Sequence, residues 1–182
     1  MKHIGKLSRA ELAGLVCKTL AENDIDVVLT GGSCVSIYSS EKYVSKDLDF
    51  VDVSLKSGKQ IERALSTIGF ERQPKNSRHF VHPDTELTVE FPSAPLAIGS
   101  EFIPFKQANE MSTEQGLLRL LSPTDCVKGR LANYYYFGDK QCFVQVTMVA
   151  QMHPVNLNKL KEWHRKEDQL SRYKDFLAHL KM

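Results

Sequence analysis

The spacing of apolar residues in the first half of the chain changes period repeatedly, and each change marks an element. Leu12, Leu15, Val16 and Leu20 recur on one helical face after Ser8, whose spacing to Glu11 is that of a capping box, so an amphipathic helix is predicted as far as Asn23. Residues 25–30 (IDVVLT) are rich in β-branched side chains and stop at Gly31-Gly32, the pattern of a buried strand that ends in a turn. Cys34, Ile37 and Tyr38 restore helical spacing and predict a short helix beginning at Ser33. Alternation over 47–53 (DLDFVDV) predicts a second strand, and Ile61, Ala64, Leu65 and Ile68 predict another helix, closed by Gly69. Residues 79–82 and 87–91 flank Pro83-Asp84-Thr85-Glu86 and read as a hairpin.

The pattern then weakens. Pro, Gly and Ser between 92 and 107 predict a loop with one short strand at 102–105. Ser122-Pro123-Thr124-Asp125 is a strong helix start, and helices are predicted at 123–136 and 140–152. A charged amphipathic tail follows, with Leu157, Leu160 and Trp163 preceding a second register of Leu170, Tyr173, Leu177 and Leu180. The expected class is α/β (α+β): a mixed sheet flanked by helices over 1–121, then a helical subdomain over 122–182. No internal repeat or low-complexity tract interrupts it.

Composition narrows the classes. Among 182 residues, 24 Lys and Arg face 22 Asp and Glu, a net charge of +2, which excludes a bulk polycation built to coat nucleic acid or membrane. Hydrophobic residues at 42% and charged ones at 25% suit a globular core. The opening MKHIGKLSRAEL lacks the apolar run of a secretory signal and no later run reaches the ~20 residues of a membrane span, so a cytoplasmic protein without a membrane partner is expected. Cys17, Cys34, Cys126 and Cys142 form no CxxC pair and are expected as reduced, buried thiols.

The candidate chemistry lies in Gly31-Gly32-Ser33 and, fifteen positions beyond Gly32, Asp47-Leu48-Asp49. Paired glycines after a strand let the backbone approach a ligand closely, and a helix opening there offers free N–H groups to a phosphate. Asp47 and Asp49, two apart on a strand, share a face and can hold a hard divalent cation through oxygen. Glu90, a charge within the apolar strand LTVEF, is the third candidate carboxylate, as metal ligand or as base. Lys128, Arg130 and Lys140 are candidate cations toward a triphosphate, although a solvated helix surface also explains them. Asn133, Tyr134, Tyr135 and Tyr136 form a polar aromatic cluster able to stack on a base, yet helix packing explains tyrosines more often. His79 and His82, with odd spacing, face opposite ways and do not make a two-histidine metal site.

Gly31, Gly32 and Ser33, then Asp47 and Asp49, then Glu90 on a later strand resemble, in order, the signature of the nucleotidyltransferase superfamily typified by DNA polymerase β. The wording around Ser45-Lys46-Asp47-Leu48-Asp49 is most similar to small bacterial proteins grouped with the nucleotidyltransferase-like toxins of abortive-infection systems. The resemblance covers roughly residues 8–91. It implies Mg²⁺- or Mn²⁺-dependent transfer of a nucleoside monophosphate from an NTP such as ATP to a hydroxyl, with Gly31, Gly32 and Ser33 on the phosphates, Asp47 and Asp49 on the metal and Glu90 assisting deprotonation. It leaves open an RNA or tRNA, a protein or a small-molecule acceptor, and an antitoxin-type protein partner. The competing expectation is a binding or regulatory module that keeps the fold without turnover.

Overall fold

The computed structural model describes residues 3–180. Helix α1 (Arg9–Ala21) opens on the predicted capping box, Ser8 accepting from the Glu11 amide and Glu11 from the Ser8 amide. Strand β1 (Val27–Thr30) runs directly into α2 (Gly31–Tyr38). The helix therefore starts two residues before the predicted Ser33, because Gly31 takes φ +67°, a conformation open to glycine that turns strand into helix without a loop. Next come β2 (Asp47–Asp52), α3 (Gly58–Ser66), the short β3 (Glu71–Gln73), and a hairpin of β4 (Asn76–His82) and β5 (Thr85–Glu90), whose strands are longer and whose turn is tighter than the sequence suggested.

The segment predicted as loop holds a small hairpin, β6 (Ala97–Ile98) and β7 (Glu101–Phe102), so the strand expected at 102–105 is displaced, and a single 3₁₀ turn occupies Phe105–Gln107. Strands β8 (Asn109–Ser112) and β9 (Leu117–Leu120), not foreseen, form a second hairpin. Four helices complete the chain: α4 (Pro123–Phe137), α5 (Lys140–Met152), α6 (Leu157–Lys166) and α7 (Leu170–Leu180).

Among the described residues, seven strands make one mixed sheet in the order β3-β4-β5-β2-β1-β9-β8. Strand β2 is antiparallel to β1 and parallel to β5, while β9 lies parallel on the far side of β1. In register, Leu120, Leu29 and Phe50, then Leu48, Val89 and Phe80, line one face and are at most 1% exposed. This face belongs to the hydrophobic core, and α1 packs on β1 and β9. The later helices belong to the same hydrophobic cluster, through Leu131, Val146, Val149, Trp163 and Phe176. They also grip the small hairpin: Trp163 Nε1 donates to the Ile98 carbonyl at 3.2 Å, and Lys128 Nζ meets Glu101 at 3.0 Å and Asp125 at 3.1 Å. All four cysteines are buried and free, as expected.

His164 is fully buried among Tyr135, Trp163, Tyr173 and Phe176. Its Nδ1 must donate to the Leu160 carbonyl at 2.7 Å, so Nε2 of the neutral ring accepts from the Tyr135 hydroxyl at 2.9 Å. Burial lowers its pKa below the ordinary 6.5, and the Leu160 bond opposes this only in part. A depressed folded-state pKa gives stability that is complete above 6.5 and lost as pH falls through the folded value. The denaturant midpoint should therefore drop as pH is lowered below 6.5. In His164→Gln, which keeps a donor and an acceptor but does not titrate, that limb should flatten, with roughly 1–2 kcal/mol lower stability at neutral pH from imperfect packing.

Candidate active site

Strand register assembles the acidic residues. Thr30 pairs with Asp49, Asp49 with Glu90 and Glu90 with His79, while Asp47 pairs with Thr88 two residues along β2 and β5. In-register partners share a face, so Asp47, Asp49 and Glu90 stand together on the side of β2 and β5 opposite the Leu48 and Phe50 core. Thr88 Oγ1 donates to Asp47 Oδ1 at 2.7 Å, and His79 Nδ1 lies 2.8 Å from Glu90 Oε1.

The glycines act through absence of volume. A Cβ on Gly31 would collide with the Asp49 carboxylate, and one on Gly32 would lie 3.0 Å from Ser45 Oγ. The start of α2 is thus pressed onto Asp49. Side chains cap α1, α3, α4, α5 and α6, whereas among the described residues none caps α2; Thr30 Oγ1 instead donates to the Asp49 carbonyl at 3.2 Å. The first-turn amides of α2 are left without that partner beside a carboxylate cluster.

Ser33 has a different place from the one anticipated. It is fully buried: its hydroxyl donates to the Asp47 carbonyl and accepts from Arg9 Nη1 at 3.1 Å, and Arg9 in turn pairs with Glu41 at 3.1 Å. Ser36 Oγ accepts from the Ser45 amide at 3.0 Å. These serines fasten α2 to the chain entering β2, so Ser33 aligns Asp47 rather than facing open space.

Electrostatics mark the cluster as short of positive charge. Burial, then the charge of Asp47, raises the Asp49 carboxyl above its ordinary value, with Arg130 and His79 pulling the other way. Burial and Asp47 raise Glu90 as well, against His79. Among the described residues no three His, Cys, Asp or Glu side chains are gathered as a finished metal cage, since Asp47 leans on Thr88 and Glu90 on His79. The donor chemistry nonetheless suits a hard divalent cation: carboxylate oxygens whose mutual repulsion such an ion would relieve. Asp47 and Asp49 would hold it, and Glu90 would join on release from His79.

Asp49 opens onto a cavity of about 630 Å³. Thr30, Gly31 and Val51 line it from the sheet, the segment 92–99 from one side, and Arg130, Asn133, Tyr136 and Phe137 from α4. Of the three proposed cations, only Arg130 is brought to it. Lys128, with 3% of its side chain exposed, is committed to Glu101 and Asp125, and Lys140 is exposed in a separate cleft with Tyr134 and Arg172. Tyr134 packs on Phe143 and Tyr135 on Trp163, leaving Tyr136 as the tyrosine of this cavity. Asn133 of the expected polar aromatic cluster also lines the cavity, and Thr88 carried a usable signal, since it alternates onto the face of Glu90. His79 and segment 92–99 had none, because their places depend on strand pairing and on α6.

No protein-family model matches the chain, and a search of curated sequences finds no match either. Among solved structures, the antibiotic-resistance factor ANT(2'')-Ia superposes with a TM-score of 0.53 at 12% identity, over 92% of this chain and 91% of that one. An antigenic nucleotidyltransferase-like protein from Paracoccidioides brasiliensis superposes with a TM-score of 0.51 at 14% identity, over 91% of each chain. At these identities the likeness is one of fold, and the chain has the mixed-sheet architecture of nucleotidyltransferase-like proteins.

Proposed function

We propose that the chain is a nucleotidyltransferase that, with a divalent cation such as Mg²⁺ or Mn²⁺, moves a nucleoside monophosphate from an NTP to a hydroxyl acceptor and releases pyrophosphate. The observation that carries this reading is the meeting of Asp47, Asp49 and Glu90 on one sheet face, beside the start of α2 and at the edge of a cavity that Arg130 also lines. A volume of about 630 Å³ is in the range of small-molecule sites.

A bound cation would supply charge neutralisation and in-line orientation of the phosphates. The amides at the start of α2 would donate to phosphate oxygens, and Arg130 would offset charge on the leaving pyrophosphate. Asp47 and Asp49 would hold the cation, with Asp47 aligned through Ser33 and Thr88. Glu90, whose raised pKa makes it the better base, would take the proton of the acceptor hydroxyl. The acceptor oxygen then bonds to the α-phosphorus, the bond from that phosphorus to the α–β bridging oxygen breaks, and pyrophosphate leaves with the electron pair. Glu90 passes its proton to water.

Transfer from a labelled NTP should fall at least about 10²-fold in kcat in Asp47→Asn and in Asp49→Asn, while Lys140→Ala stays within about twofold. Labelling that persists in the double aspartate variant would overturn the assignment, and nucleotide binding without transfer under any condition would favour the non-catalytic module.

The same carboxylates set a stability signature. Asp49 is a charge held next to Asp47 under partial burial, so in metal-free buffer Asp49→Asn should raise the melting temperature by a few degrees, roughly 1 kcal/mol in a domain of this size. Mg²⁺ should raise the melting temperature of the unaltered protein and not that of the variant, a contrast that differential scanning calorimetry reads directly.

A further inference from the structure

The cavity has two walls that come from distant parts of the chain, and a single carboxylate outside the cavity joins them. On one side stands the turn between β6 and β7, where Gly99 takes φ +60° and lines the space; on the other stands Tyr136 of α4. Glu167, the residue that ends α6, accepts the Ser100 amide at 2.7 Å and the Ser100 hydroxyl at 2.6 Å on Oε1, and the Tyr136 hydroxyl on Oε2. A Cβ on Gly99 would collide with this carboxylate, so the turn closes onto Glu167 with no room to spare.

We infer that Glu167 is a positioning residue for the nucleotide: by tying the turn at Gly99-Ser100 to Tyr136 it fixes the width of the cavity that the NTP enters. The inference rests on the nucleotide reading of that cavity. Glu167 is not among the residues lining the space and makes no bond to Asp47, Asp49 or Glu90, so its action passes through the two walls. Burial would raise its carboxyl, but the Ser100 and Tyr136 bonds outweigh burial and the net shift is downward, which keeps it an ionised acceptor at neutral pH. Holding both walls before the ligand arrives removes an ordering cost from binding and leaves the chemical step, whose carboxylates Glu167 does not contact, untouched.

The expected pattern is therefore a change in nucleotide affinity apart from turnover. Glu167→Ala should raise both the NTP KM and the Kd of a non-hydrolysable NTP analogue about 10-fold, with kcat within about twofold. Hydrogen exchange at the Ser100 amide should speed up in the same variant. Glu167→Gln, which keeps an acceptor for Ser100 and can donate to the Tyr136 oxygen, should recover part of the affinity, and Tyr136→Phe, which deletes one arm of the tie and keeps the ring, should lose part of it. Faster exchange at Ser100 with an unchanged analogue Kd would overturn the positioning role while the nucleotidyl-transfer reading stands. Failure of the unaltered protein to bind the analogue with Mg²⁺ present would remove that reading, and this inference with it.

Discussion

The contact between Gly31 and the Asp49 carboxylate is the constraint on which the rest of the site depends. Because Gly31 takes φ +67° and carries no side chain, α2 can begin directly at the end of β1, and its first turn lies against the central carboxylate of the acidic row. The positive end of a helix dipole then faces negative charge, a favourable arrangement of limited strength that does not cancel the crowding of Asp47, Asp49 and Glu90. The framework has to hold this crowding in place. Ser33 and Ser36 do so by hydrogen bonding α2 to the entry of β2, Arg9 by tying α1 to Ser33, and His79 by pairing with Glu90 across β4 and β5. Residues whose order suggests a phosphate loop are thus divided between Gly31, which lines the cavity beside Asp49, and buried scaffold, in Gly32 against Ser45 and in Ser33.

The first half of the molecule was legible because its signals are local. A capping box at Ser8, β-branched runs ending in glycine and alternation through Asp47 and Asp49 each specify an element within a few residues, and the carboxylate periodicity alone put both aspartates on one face. That Glu90 would stand beside Asp49 depended on β5 pairing parallel to β2, which the chain order permits but does not require. Strand β9 escaped notice for the same reason. Its LLRL sequence is too short to show a period, and its place next to β1 is set by burial of Leu118 and Leu120 in the shared core. The missed hairpin of β6 and β7 is two residues per strand and is held by side chains of α4 and α6 that lie 27 to 67 residues away along the sequence.

Lys128 illustrates how composition misleads about site charge. By position on a capped helix it was a reasonable cation for phosphate, yet its ammonium is buried between Glu101 and Asp125, where removing it would leave two carboxylates facing each other without a counter-charge. Its service is to the wall of the cavity, since Glu101 begins β7. Trp163 holds Ile98 and Glu167 holds Ser100 in the same hairpin, so three successive parts of this short element are gripped by the C-terminal helices. The helical part of the chain shapes the space in front of the acidic face more than it charges it.

This distribution has a consequence for order of binding on the nucleotidyl-transfer reading. Among the described residues that line the cavity, Arg130 is the single permanent cation, and it faces Asp49 before any phosphate arrives. A triphosphate approaching three carboxylates and one guanidinium meets net repulsion at short range, in a partly desolvated space where such repulsion is stronger than in bulk water. Neither Lys128, buried and neutralised by its partners, nor Lys140, in a separate cleft, repairs this. The near-neutral total of +2 therefore conceals a site that is acidic when empty. Nucleotide and divalent cation would have to bind as one electrostatic unit, each supplying the charge that makes the other's place tenable, and the carboxyls of Asp49 and Glu90, raised first by burial and then by the charge of Asp47, are where that charge would act.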